Sequence, residues 1–283
     1  MSVGVLGALP ALVGELRLTV GLRADKSIAV QQFHQGALRI LRPHYLDGTG
    51  QVCYVVVNPG GGYLGGDAYG ITVDVQDGAR LLLTTQSATK VYRTPQSRAV
   101  QNTHIRLGQG SSLESLPDQL IAYREASYTQ VTTVDMDPTA SLVMAEVLTP
   151  GWSPGGELFG YDEIRLRNEI SVAGELVVLD NVLICPGGVS PVQGLCVMEQ
   201  FTHLGSLLVM DRRVDDALVD ELHALLAGMD PEGLLGITLL DGPGLAIRAL
   251  SHSTEPLNAL IRAAVDLLRA RWHGQDPLKL RKY

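Results

Sequence analysis

The chain is poor in charge, in aromatic rings and in cysteine. Only 18% of its 283 residues are charged and four are lysine, against roughly 25% charged residues in an ordinary domain. With a formal charge of −8, such a surface argues against nucleic acid and anionic membranes as partners. The three cysteines, Cys53, Cys185 and Cys196, sit in apolar runs with no C-x-x-C spacing. They predict reduced core thiols in a cytoplasmic protein. No run of 18 uninterrupted apolar residues exists, so no membrane span is expected. The apolar stretch Met1 to Val13 lacks the basic region of a signal peptide and is expected to pack on the domain or a partner. Aromatic residues are 5% of the chain and form no visible ladder, which disfavours a carbohydrate-binding module.

The motifs of several chemistries are also missing. There is no G-x-S-x-G elbow, and Cys185 has no base near it in the sequence, so it reads as a small buried hydrophobe and no catalytic residue is assigned. The seven histidines are scattered without H-x-H or H-E-x-x-H spacing, so no tightly bound metal or other cofactor is expected. His223, on a predicted helix, is expected to be exposed or capping.

What is present is apolar. Hydrophobic residues are 46% of the chain and mean hydropathy is +0.14, enough for a large core, for surface hidden against other proteins, or both. Short alternating runs dominate: Leu16, Leu18, Val20 and Leu22 on one face; Ile71, Val73 and Val75; Thr103, Ile105 and Leu107; Ile164, Leu166 and Ile170. Asp77-Gly78 offers a tight hairpin, and Ala173-Gly174 another turn. Turn signals every 8 to 14 residues, with no helical periods between them, predict a mainly β body. Runs apolar on both faces, such as Val52–Val57, predict strands sandwiched between layers. No strict repeat marks a regular solenoid. Two helices are predicted later. One is capped at Asp215 or Asp216, carries Leu218, Val219, Leu222, Leu225 and Leu226 on a stripe, and ends at Gly228. The other is capped at Ser253 or Thr254 and stopped by Gly274. Pro150 to Gly156 is the best candidate boundary and reads as a long loop within one domain, 1–283.

The densest signal is Asn58-Pro59-Gly60-Gly61-Gly62-Tyr63-Leu64-Gly65-Gly66-Asp67. Gly60, Gly62 and Gly65 fit G-x-G-x-x-G, but that fingerprint needs a helix next. Here a period-two run comes next instead, and Gly66-Asp67 stands where a phosphate loop carries Lys-Ser/Thr. An acidic residue there repels phosphate, so a nucleotide-dependent enzyme is set aside.

Further along the chain come Thr84-Thr85-Gln86-Ser87-Ala88-Thr89-Lys90-Val91-Tyr92-Arg93, then Leu116-Pro117-Asp118-Gln119-Leu120-Ile121 with Arg124, then Leu148-Thr149-Pro150-Gly151 with Gly156-Glu157. In this order and spacing the motifs resemble the urease accessory protein D family (UreD, also called UreH), over nearly the whole chain. The chain departs from the family pattern at Gly151-Trp152 and Pro154, where the family carries Gly-Arg, and at Gln119 to Glu125, where it carries Pro-x-Ile-Pro-Phe-Arg-Gly. The resemblance implies a layered, β-helix-like stack of short strands with two α-helices in the C-terminal half. It implies a non-catalytic urease maturation factor that binds apo-urease and accessory protein F, with the GTPase accessory protein G docking through F. Nickel would be handled only transiently, along polar residues lining an internal passage. Asp67 and Glu157 match motif carboxylates of the family and are carried over as passage residues. Weak oxygen donors suit cargo that must be released. Thr84, Thr85, Gln86, Lys90, Tyr92 and Arg93 are assigned to a polar wall or a partner-facing edge. The alternative is a β-solenoid-like module binding carbohydrate or another ligand.

Overall fold

A computed structural model describes residues 11–280 except Ser190 and Cys196. The expectations for Met1–Pro10 and for Cys196 therefore fall outside the described residues. The fold is mainly β, and two sheets face each other across the main core.

The first sheet begins with a hairpin, β1 (Gly14–Arg23) and β2 (Lys26–Gly36), whose turn places Ala24 and Asp25 at positive φ. Next to β1, in parallel, run β5 (Ala68–Val75), β8 (Ala99–Leu107), β11 (Ser127–Met136) and β13 (Glu163–Val172). A second hairpin closes the edge, with β14 (Glu175–Ile184) returning from the Ala173-Gly174 turn. The second sheet has its own parallel centre, β4 (Val52–Val57), β6 (Arg80–Thr85), β9 (Ser112–Leu116) and β12 (Ser141–Leu148). Antiparallel strands flank it: β3 (Arg39–Ile40) on one side, β15 (His203–Met210), β17 (Gly244–Ser251) and β16 (Leu234–Leu239) on the other.

The chain crosses from one sheet to the other and back, β4 to β5, β6 to β8, β9 to β11, β12 to β13. Each circuit is one coil of a solenoid-like stack. This corrects the reading of Asp77-Gly78 as a hairpin. The turn joins β5 to β6 in different sheets, and the stacked turn below locks onto it, since the Gln109 N–H donates to Asp77 Oδ1 at 2.8 Å. A third, short face links the coils: β7 (Thr89–Val91) pairs in parallel with β10 (Leu120–Ala122), and bridges Tyr63↔Val91 and Tyr123↔Trp152 extend it.

Alternation buries Leu16, Leu18 and Val20 between the sheets, but Leu22 is half exposed. Pairing of β1 with β5 ends at Val20↔Val75, so Leu22 has left the sandwich. The second sheet is apolar on both faces for the reason its sequence suggested. One face meets the first sheet; the other carries α1 (Asp216–Leu226) and α2 (Thr254–His273). The Asp215 carboxylate caps α1 by accepting from the Leu218 N–H, and Leu218, Leu222 and Leu226 face inward, whereas Leu225 is exposed. Gly274, left-handed, ends α2. Each large side chain fully buried here is worth about 1.5–3 kcal/mol.

Candidate functional site: a polar-lined cavity between the sheets

A cavity of about 400 Å³ lies between the two sheets. Its apolar walls, among them Leu38, Ile105, Met144 and Leu166, are what a sandwich core supplies. The informative residues are polar ones in the inward phase of otherwise apolar strands. Parallel pairing sets them in two rungs across the first sheet. Tyr69, Gln101 and Gln130 share one rung, and Thr103, Thr132 and Asn168 share the next. Tyr63 donates its hydroxyl to Gln101 Oε1 at 2.5 Å, and Tyr128 donates to Gln130 Oε1 at 3.2 Å. Burial is the main cause that raises the pKa of both phenols, keeping them as neutral donors.

Opposite them, from β12, stands Glu146. Gln130 Nε2 donates to Oε1 at 2.7 Å and Asn168 Nδ2 to Oε2 at 2.8 Å. Behind Asn168 the chain of contacts reaches Asp180, which pairs with Arg248 at 2.5 Å. Glu146 keeps some accessible surface because it faces the cavity, yet protein encloses it on every side. That enclosure penalises the charge and, together with repulsion from Asp180, pushes its pKa up to about 7, although Asn168, Arg248 and Gln130 pull the other way. No direct cation partner of Glu146 is found among the described residues. Asn168 Oδ1 and Arg248 Nη1, both buried, make no hydrogen bond among them either. The result is a largely apolar space with oxygen and amide groups set into its walls and two carboxylates, Glu146 and Asp118, in its lining.

The cavity reaches the surface beside exposed Gly61, Gln86 and Ser87. Thr84, Thr85, Gln86 and Lys90 border it, the Thr84 hydroxyl donating to the Leu116 carbonyl. Tyr92 and Arg93 do not. They lie just past the rim on the third face. Asp67 and Glu157 do not border it either. The Asp67 carboxylate accepts the Leu64 N–H at 2.8 Å and the Tyr69 hydroxyl at 2.9 Å, so it ties its own loop to β5. Glu157 is exposed in the loop between β12 and β13, where its backbone carbonyl accepts from the Ser153 hydroxyl. Sequence reading missed Glu146, Gln130, Thr132 and Asn168. The available signal was a polar residue in the apolar phase of a strand, as at Thr103.

The glycine loop has a packing explanation. Gly61 and Gly66 take φ of +82° and +84°. A Cβ on Gly62 would fall 2.6 Å from the Tyr92 ring and 2.7 Å from the Lys90 carbonyl. The glycines thus let the first coil settle on the second. The loop leads into strand β5 rather than a helix, so the geometry of a dinucleotide cradle is missing.

On the outer surface of the third face, rings from three coils meet at a tilt: Tyr92 against Tyr123 and Tyr123 against Trp152, each pair with centroids 4.8 Å apart. This short row of rings is invisible in composition, and its tilts of 59° and 45° make it no flat stacked ladder. Cys53 is buried, whereas Cys185 is only half-buried, with its sulfur 4.0 Å from Glu163 Oε2. No group of three or more His, Cys, Asp or Glu side chains that could hold a metal ion occurs among the described residues. Among them, too, no helix is long and apolar enough to cross a membrane.

Comparison with known proteins gives one consistent result. The family described as UreD urease accessory protein matches residues 12–282. A protein of Arthrobacter sp. (strain FB24) named urease accessory protein UreD is 59% identical over 277 residues, covering 96% of this chain and 94% of its own. One of the same name from Paenarthrobacter aurescens (strain TC1) is 56% identical, covering 96% of each chain. A more distant relative of that name, from Lachnoclostridium phytofermentans, is 34% identical over 95% of this chain and 98% of its own. With a match across nearly its whole length, the chain belongs to the UreD family of urease accessory proteins, which serve urease maturation.

Proposed function

We propose that this protein is a non-catalytic chaperone of the cytoplasm that binds apo-urease and accessory protein F, receives nickel released when the GTPase accessory protein G acts through F, and passes it to the urease active site. Nickel is cargo here, and the inter-sheet cavity is its route. The observation that carries this reading is Glu146, a carboxylate held by the side-chain amides of Gln130 and Asn168 at the wall of the inter-sheet cavity. Oxygen ligands without histidine or thiolate hold nickel weakly enough to release it. With a pKa of about 7, Glu146 exists in both forms at neutral pH. An arriving cation displaces its proton, and a returning proton releases the cation.

The test is co-expression with apo-urease and the other accessory proteins, reading nickel content and urea hydrolysis. Glu146→Gln keeps size and removes charge, so it should lower nickel content while the complex still assembles. Full activation by both Glu146→Gln and Glu146→Ala would reject the route. Asp67 and Glu157 do not border the cavity, and Asp67→Asn with Glu157→Gln tests in the same assay whether either takes part in the transfer.

A further inference from the structure

The third face carries more than its hydrogen bonds require. Its rings come from successive coils, held in place by parallel backbone pairing: the Tyr92 N–H donates to Tyr63, the Tyr123 N–H to Val91, and the Arg124 N–H to Trp152. The platform is therefore rigid. Trp152 at its end is 50% exposed. Beside the rings, Arg93 and Arg124 both turn to Glu125, Arg93 in a close ion pair and Arg124 at 3.5 Å, with side chains 65% and 52% exposed. Glu125 sits at φ +60°, a backbone that side-chain-bearing residues rarely adopt. Two guanidiniums thus share one carboxylate. The patch carries a net positive charge on a protein whose formal charge is −8, and most of its ten N–H donors are open.

Fixed rings beside open arginines are the composition of interface anchors. The rings are tilted 59° and 45° to one another, so they offer edges and a ridge rather than the flat row of faces that a sugar chain stacks on. Charge complementarity then selects the occupant. We infer that Tyr92, Tyr123, Trp152, Arg93 and Arg124 form the docking surface for an acidic segment of a partner protein, one carrying an apolar side chain next to its carboxylates. Such a partner would be seated at the cavity rim, because Gly61 and Gly62 border the cavity and also lie against Tyr92. The inference rests on the chaperone reading and adds to it the place and chemistry of contact.

Purified protein is titrated with two probes, purified apo-urease and purified accessory protein F, at about 50 mM and about 300 mM salt. The variants are Trp152→Ala and the double reversal Arg93→Glu with Arg124→Glu, all at exposed positions, with circular dichroism to check folding. At least one complex should weaken about tenfold or more in each variant, and the double reversal should flatten its salt dependence. Glu125→Gln, which frees both arginines, should tighten that complex. If the wild-type protein binds and the variants bind equally well, the docking surface is rejected while the chaperone reading stands. If the wild-type protein binds neither probe, the chaperone reading falls and this inference with it. Two other outcomes overturn the inference alone: chitohexaose binding that is lost in Trp152→Ala, or self-association abolished by the variants while both partner complexes are unchanged.

Discussion

Two carboxylates leave neighbouring strands of the second sheet in opposite directions and meet opposite fates. Glu114, on β9, faces the helical layer. There Arg269 of α2 donates to it at 2.6 Å and to Asp47 at 2.9 Å, and Gln51 and Gln275 fill the remaining positions. Glu146, on β12, faces the cavity and meets only amides. The first arrangement neutralises charge and fixes α2 to the coils, so it is a structural joint. The second leaves the charge unneutralised and the proton mobile, which is of little use to stability and of direct use in handling a cation. Burial of a carboxylate therefore does not by itself mark function; the partner does.

Removing the cation from the joint should have the largest effect. Arg269→Ala strands Glu114 and Asp47 in a buried site and should cost about 3–5 kcal/mol in urea unfolding. A loss below about 1 kcal/mol would show that water reaches the joint and that the contrast is false.

The next effect is the pH response of the two sites, which should have opposite signs. Burial alone would raise Asp47, but Thr49 through its hydroxyl and backbone N–H, then Gln275 and Arg269, outweigh it and hold the group below its usual value. Its contribution is present above the unfolded pKa and is lost as pH falls through the folded one. Glu146 is raised from 4.5 to about 7. Its favourable contribution is complete below 4.5 and is lost as pH rises through 7. Glu146→Gln should therefore gain stability relative to wild type between pH 4.5 and 7, by on the order of 3 kcal/mol at most. A difference that stays flat across that window would mean the carboxylate is not enclosed.

Smaller again is Asp67. Its two accepted hydrogen bonds make Asp67→Ala worth about 1 kcal/mol each in thermal unfolding, and Asp67→Asn, which keeps an acceptor, should recover most of that. The smallest is Glu157→Gln, within about 0.5 kcal/mol of wild type. If either amide variant lowers urease nickel content at unchanged stability, that carboxylate joins Glu146 on the route.

Local patterns were legible from residues alone. Alternation placed Leu16, Leu18, Val20, Ile105 and Ile170 inward, and two-sided apolar runs announced the sandwiched second sheet. Capping residues set both helices almost to the residue, with Asp215 before α1 and Gly274 after α2. These signals depend on contacts between near neighbours, and a strand or helix carries its period within a few residues. The four motifs that pointed to the family were read as separate strings. Only the tertiary structure shows that they are one feature, the same corner of four successive coils. Tyr63, Tyr92, Tyr123 and Trp152 stand roughly thirty residues apart, one aromatic residue per coil in a chain whose intervening residues show no strict repeat. Their meeting depends on parallel register between coils, which a single sequence does not encode locally. The same holds for Glu146. The sequence supplied a carboxylate in an apolar strand, while its enclosure, its amide partners from β11 and β13 and hence its shifted proton affinity came from the stacking of the two sheets.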